Sequence, residues 1–336
     1  MPGLPTAILD LVNSIRRIFG GGQPGPVQPV EPAGQKPLPV TRKVDVLIFD
    51  PILPSEGNRR LSHVMNWSDP QALADTFVQD IFDASDGYAH YTIVRRTVVD
   101  GLPAKVDGFV YDPEQFLQCL RAGSGFHSPD QADVLRILND QGILNRIKNG
   151  ETDELWMFGP PYAGFYESQM AGPDAFRVNS APLVGAEAAG RRFVIMGFNY
   201  ERGAGEMLEN MGHRAEDTLR HTFRNLGGEA NLWQRFIRYD KLNPGQAEMG
   251  NVHFAPNSLA DYDWGNPRSV PSGCDRWYRF PDLSGPARMV SCTEWGNGDM
   301  RLHHLWWFKH FPRITGSAND IGYNWWAYLI DPNQVR

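Results

Sequence analysis

RFVIMGFNYERGAGEMLENMGHRAEDTLRHT, residues 192–222, reads as a strand, a glycine turn and a helix in direct succession. RFVIMGF (192–198) is an apolar run of the length of a buried strand. Beyond the glycines, Glu206, Glu209, His213 and Glu216 recur at offsets of 3, 4 and 3. At roughly 3.6 residues per turn those offsets hold all four on one helix face. Three carboxylates and an imidazole on one stripe repel unless positive charge sits among them. A divalent metal ion is the sharpest reading of the pattern, and a clasp of arginines is the plainer one.

The chain around this unit alternates in the same way. VDVLIFD (44–50), HYTIVRRTVV (90–99) and ELWMF (154–158) read as strands. DPQALADTFVQDIFDAS (69–85), DPEQFLQCL (112–120) and DQADVLRILNDQGIL (130–144) read as helices, the first with Asp69 as N-cap and Pro70 at the first helical position. Strands alternating with helices predict an α/β fold, with a largely parallel or mixed sheet and flanking helices over residues 44–224. Residues 225–336 hold most of the tryptophans, interleaved with Asp, Asn and Gly, and read as an aromatic, loop-rich cap packed on that body.

Ahead of the body, residues 1–19 carry Ile8, Leu11, Ile15 and Ile18 at helical spacing, with charges off that face. Residues 20–43 are rich in proline and glycine and read as an extended tether. An amphipathic helix on a tether suits docking to a protein partner or membrane surface, or folding back on its own domain. It is not a secretory signal, because the positive charges follow the apolar stretch and no small-residue cleavage site ends it.

The 336 residues carry Lys+Arg 32 against Asp+Glu 39, a formal net charge of −7. That balance argues against simple electrostatic binding of nucleic acid. No apolar run approaches the roughly 20 residues of a membrane span. Three cysteines make no disulfide scaffold; Cys274 and Cys292 could pair or remain two buried thiols, and Cys119 reads as a buried free thiol. The phosphate loop and the serine-hydrolase elbow are missing from the sequence.

Candidate site residues fall into two groups. For a metal, the expected ligands are Glu209, His213 and Glu216, with His253 of NVHFAPN reaching over from a proline-flanked loop. Zinc suits that donor set best, and Glu206 or Glu201 is the expected acid/base. His303 and His304 are adjacent, so on a strand only one could join them. Asp261 and Asp263 of ADYDWGN share the opening spacing of a calcium loop but lack its later positions. The second group suits a glycan or peptide substrate: Glu167 and Glu294 as acids, Trp264 and Trp295 as stacking rings. In the plain structural reading, Glu167 or Glu201 is instead held by Arg202 or Arg214 as an ion pair.

With its strand before and its glycine before the histidine, EMLENMGH (206–213) resembles the active-site helix of zincin-type metallopeptidases. Their pattern is His-Glu-x-x-His; here Glu209, Asn210 and His213 stand at the matching positions. The resemblance implies a metal-dependent hydrolase whose usual general-base position holds Asn210, which takes no proton, or a relative that has lost peptidase activity. Over residues 44–336 the order of DELWMFGPPYAGFYES, VHFAPN, DYDW and CTEWGNGDMRLHHLWWFKH is similar to a family of uncharacterised extracellular bacterial and fungal proteins. That likeness implies a shared fold and an extracellular location; with no export signal visible, a non-standard export route is the expectation. Two further function classes stand beside the hydrolase: a carbohydrate-binding or carbohydrate-acting protein, and a cargo or interaction protein docked through residues 1–19.

Overall fold

In the computed structural model, which describes residues 34–336, strand β1 (Val40–Phe49) starts four residues ahead of the apolar run that announces it. The expected helix over 1–19 and residues 20–33 of the expected tether lie outside the described residues. After β1 come helix α1 (Pro70–Ala84), strand β2 (Ala89–Val99) and helix α2 (Pro113–Ala122). Helices α3 (Val134–Asp140) and α4 (Ile143–Lys148) follow, then strands β3 (Glu154–Gly159), β4 (Ser168–Ala171) and β5 (Phe193–Asn199), and the long helix α5 (Ala204–Thr222).

The five strands form one sheet in the order β2-β1-β3-β5-β4. The first three pairings are parallel, and β4 runs antiparallel along the edge. Burial on both faces explains why β1, β3 and β5 read as unbroken apolar runs. Alternate side chains of β1 point to opposite faces. Val44, Val46 and Ile48 meet Phe77 and Ile81 of α1 and Leu208, Met211 and Ala215 of α5. Leu47 and Phe49 meet Ile137 and Leu138 of α3 and Ile143 and Ile147 of α4.

Helix α1 is capped as its sequence predicts: Asp69 accepts from the Gln71 N–H at 2.9 Å, with Pro70 in the first turn. The single helix expected over 130–144 is instead two, because Gly142 takes a left-handed conformation at φ 65 between them.

The region after residue 225 is the expected aromatic cap, largely loop from 237 to 299, with regular elements added to it. It contains a short helix α6 (Leu232–Phe236), helix α7 (Met300–Lys309) packed on α5, a hairpin of β6 (Arg313–Ala318) and β7 (Ile321–Asn324), and helix α8 (Trp325–Ile330). Most of the rings of this cap are core. Trp277, Trp307 and Trp325 pack edge-on against Phe236, Trp233 stacks parallel on it, and Trp307 and Trp325 meet Trp233 edge-on, all at centroid distances of 4.9–6.1 Å. These rings join the α1/α5 face of the sheet in one continuous hydrophobic core running from Val44 to Val335. Burying each ring contributes roughly 1.5–3 kcal/mol over leaving it in water. Cys119, Cys274 and Cys292 are all free and buried. No helix among the described residues is long and apolar enough to cross a membrane.

Candidate metal centre

One face of α5 lies against the sheet and the opposite one meets the loop 250–254. Gly212 permits this approach: a Cβ built on it would sit 2.4 Å from Val252 Cγ2. The loop is held from several directions. Gly250 adopts φ 72, and its carbonyl accepts from Trp307 Nε1 at 3.1 Å. Asn251 Oδ1 accepts from the backbone N–H groups of His253 and Phe254, both at 3.0 Å. The Val252 carbonyl accepts from His304 Nε2 at 3.2 Å. The Val252 N–H donates to Glu216 Oε1 at 3.2 Å.

This arrangement brings His253 down onto the helix. His253 Nε2 lies 3.0 Å from Glu209 Oε1 and 3.1 Å from His213 Nε2. His213 Nε2 is 3.9 Å from the same Glu209 oxygen. One ligand atom from each of Glu209, His213 and His253 falls within 4.8 Å of the others, so this trio could hold a metal ion. Each imidazole turns its other nitrogen to a carboxylate: His213 Nδ1 is 3.3 Å from Glu216 Oε2, and His253 Nδ1 is 3.0 Å from Asp261 Oδ1. Carboxylate partners behind metal-bound imidazoles fix tautomer and ring orientation. Tyr262 completes the cluster, its hydroxyl donating to Glu209 Oε1 at 2.9 Å.

The electrostatics follow from this geometry. Burial pushes the Glu209 carboxyl up, but hydrogen bonds from His253 and Tyr262 outweigh it and hold the group below the usual range. Burial likewise lowers His213, while its bond to Glu216 and the charges of Glu216, Glu167 and Glu209 raise it above an ordinary histidine. His253 is raised first by its bond to Glu209, against a smaller effect of burial. Burial and then the Glu209 carboxylate push the Tyr262 hydroxyl up to about 12, so it carries its proton at neutral pH.

Of the four expected ligands, three converge and Glu216 does not join them. Its two oxygens are committed to His213 Nδ1 and the Val252 N–H, which makes it a support for a ligand. Neither expected acid/base touches the trio among the described residues. Glu206 folds back to cap α5, accepting from the Gly203 N–H at 3.1 Å. Glu201 is exposed and bonds to Asn199. Asn210, at the zincin-like base position, donates to the Gly197 carbonyl at 2.9 Å and ties the helix to β5. Asp263 holds its own loop, its Oδ2 accepting from the Leu259 N–H and Asn266 Nδ2, and neither it nor Asp261 belongs to a metal-capable group of three among the described residues.

The expected substrate residues separate. Trp264 and Trp295 are core rings, 4% and 1% exposed, and offer no face to a sugar. The Trp295 indole donates to the Trp264 carbonyl at 2.7 Å. Glu294 forms a two-pronged pair with Arg288. His303 and His304 sit on helix α7, not a strand, and both are buried. Glu167 is the exception, because its charge reaches His213 and Tyr262. Tyr262 and Asp261 were missed as members of the cluster; their proximity in sequence to NVHFAPN was the one available signal.

No family model, no curated protein and no solved structure matches this chain.

Proposed function

We propose that the protein is a metal-dependent hydrolase with a mononuclear zinc centre on Glu209, His213 and His253. The supporting observation is the pair of carboxylate-backed imidazoles aimed at one carboxylate. With the Nδ1 protons given to Glu216 and Asp261, both Nε2 atoms turn lone pairs toward the point between them and Glu209 Oε1. Such a point is filled by a cation or by a shared proton. Two neutral imidazoles and one carboxylate are a known catalytic zinc set, three protein ligands with a further position left for water or substrate. The trio is half-covered, not sealed: the side chains of His213 and His253 retain 19% and 26% exposure.

A bound divalent metal supplies Lewis acidity and makes water acidic enough to attack at neutral pH. The chain's own groups divide the remaining work. Glu167, the carboxylate whose charge acts on His213 and Tyr262, is the best-supported proton acceptor. Tyr262, protonated at neutral pH and half-exposed, can turn its one O–H from Glu209 toward negative charge developing on a substrate oxygen. Asn210 gives no help with the proton, which sets this reading apart from the ordinary zincin mechanism.

Elemental analysis of untagged full-length protein tests the centre. Stoichiometric zinc, lost in His213→Ala and His253→Ala, is expected. Protein that is metal-free after purification and fails to take up zinc, manganese, iron or calcium on titration would overturn it.

A further inference from the structure

We infer that the cleft beside the centre receives a cationic group of the substrate, an ammonium or guanidinium. This rests on the hydrolase reading for what happens next, but not for the binding itself. The cleft has a volume of about 200 Å³ and lies where the C-terminal ends of β3 and β5 meet the first turns of α5. Open parallel sheets hold their ligands at such strand ends. Asn210 lines the cleft one helical turn before His213, and Glu167 lines it while acting electrostatically on His213. The volume suits one side-chain-sized group, below the roughly 300–1,000 Å³ of sites that enclose a whole small molecule.

The lining charges set the preference. Asp130 is already answered: the buried ammonium of Lys105 donates to its carboxylate at 2.7 Å and to the Tyr162 carbonyl at 2.7 Å, which also stiffens this wall. Glu167 and Glu206 make no ion pair with any lysine or arginine among the described residues. Each uses one oxygen internally, Glu167 toward Asn179 and Glu206 toward the Gly203 N–H, and leaves the other without a hydrogen-bond partner among the described residues. Arg202 also lines the cleft, but it is exposed to solvent and pairs with neither acid. Tyr162 presents a half-exposed ring stacked on Phe126 at 3.6 Å between centroids. Two unanswered carboxylates beside an aromatic face favour a cation and repel an anion.

The test measures binding of three probes to the zinc-loaded full chain: the amides of Nα-acetyl-lysine, Nα-acetyl-norleucine and Nα-acetyl-glutamate. The lysine probe is expected to bind about tenfold tighter than norleucine, and glutamate weakest. Glu167→Gln with Glu206→Gln should erase the lysine preference. Both amides keep the existing hydrogen bonds, so the fold is retained, and a circular dichroism melt on the same sample verifies that. Equal binding of lysine and norleucine, a preference for glutamate, or a preference unchanged in the double variant each overturn the proposal. His213→Ala separates the two readings: it removes the metal, and the lysine preference should survive. Zinc uptake without any lysine preference defeats this inference alone, and lysine preference without zinc defeats the hydrolase reading alone.

Discussion

His213 and Arg214 are neighbours in the chain, yet they point roughly 100° apart around α5 and enter two different electrostatic worlds. Arg214 faces the sheet, where its guanidinium makes two parallel bonds to Glu154 at 2.6 and 2.8 Å. Tyr91 adds a third at 2.8 Å, and Arg214 and Glu154 are 1% and 0% exposed. Every charge there has its partner. On the His213 side Glu209 and Glu216 pair with no arginine or lysine among the described residues; imidazoles are the only groups there that can bring them a positive charge, and solvent reaches the cluster. A guanidinium holds its proton at any ordinary pH, whereas an imidazole exchanges its proton for a metal near neutrality. One side of the helix is therefore built to be permanent, and the other to be loaded and unloaded.

The largest expected effect lies on the permanent side. Arg214→Ala leaves Glu154 buried without its cation and should cost about 3–5 kcal/mol of stability by urea denaturation. Replacing both residues with apolar ones of similar size should recover most of it, since paired burial is itself costly. An Arg214→Ala protein no weaker than a surface variant would break the contrast between the two faces.

On the loaded side the expected signature is reversed. His253→Ala should lower zinc affinity by more than about a hundredfold, read by competition with a chromophoric chelator. Stability of the metal-free protein should scarcely fall, because a network without a fixed cation loses little with one imidazole. Glu216→Gln keeps the shape but removes the charge behind His213, and should cost roughly tenfold in affinity. Gly212→Ala sharpens the geometric half of the argument. Its methyl meets Val252 at 2.4 Å, so the loop must retreat and carry His253 with it. An overpacking penalty of about 1–3 kcal/mol and a clear loss of zinc affinity are expected together.

How much of this was legible in the sequence divides along the same line. The stripe on α5 is local, and spacing alone puts Glu209 and His213 together. The glycine before the histidine and the loop histidine at 253 are visible too. The partner of Arg214 is not: Glu154 lies 60 residues away on a strand whose register no local pattern specifies. Glu216 looks equivalent to Glu209 by spacing, and only the descent of Val252 onto the helix diverts it. Trp264 and Trp295 illustrate the opposite error. Polar neighbours make these two rings candidates to stack on a substrate, but rings that large are cheapest to bury, and the nearby Gly296 and Asp299 serve as helix caps.

The finest test is the effect of pH, because proton and metal compete for the same nitrogens. His213 and His253 are both raised above the usual histidine value, by Glu216 and Glu209 respectively, each bond acting with burial opposed to it. A raised pKa means that the folded, metal-free protein binds protons more tightly than the unfolded chain. Its stabilising contribution is complete below the unfolded histidine value and disappears as pH climbs through the higher folded values. Metal-free protein should thus lose a little stability between weakly acidic and weakly alkaline pH. Zinc reverses the sign, since it needs both Nε2 atoms deprotonated: affinity should rise across that same interval, with up to two protons released per metal bound. Melting curves of both forms against pH should then diverge as pH increases, and His213→Ala should flatten the divergence. Parallel curves would mean that these imidazoles do not exchange proton for metal, and the two faces of α5 would then differ in solvent exposure alone.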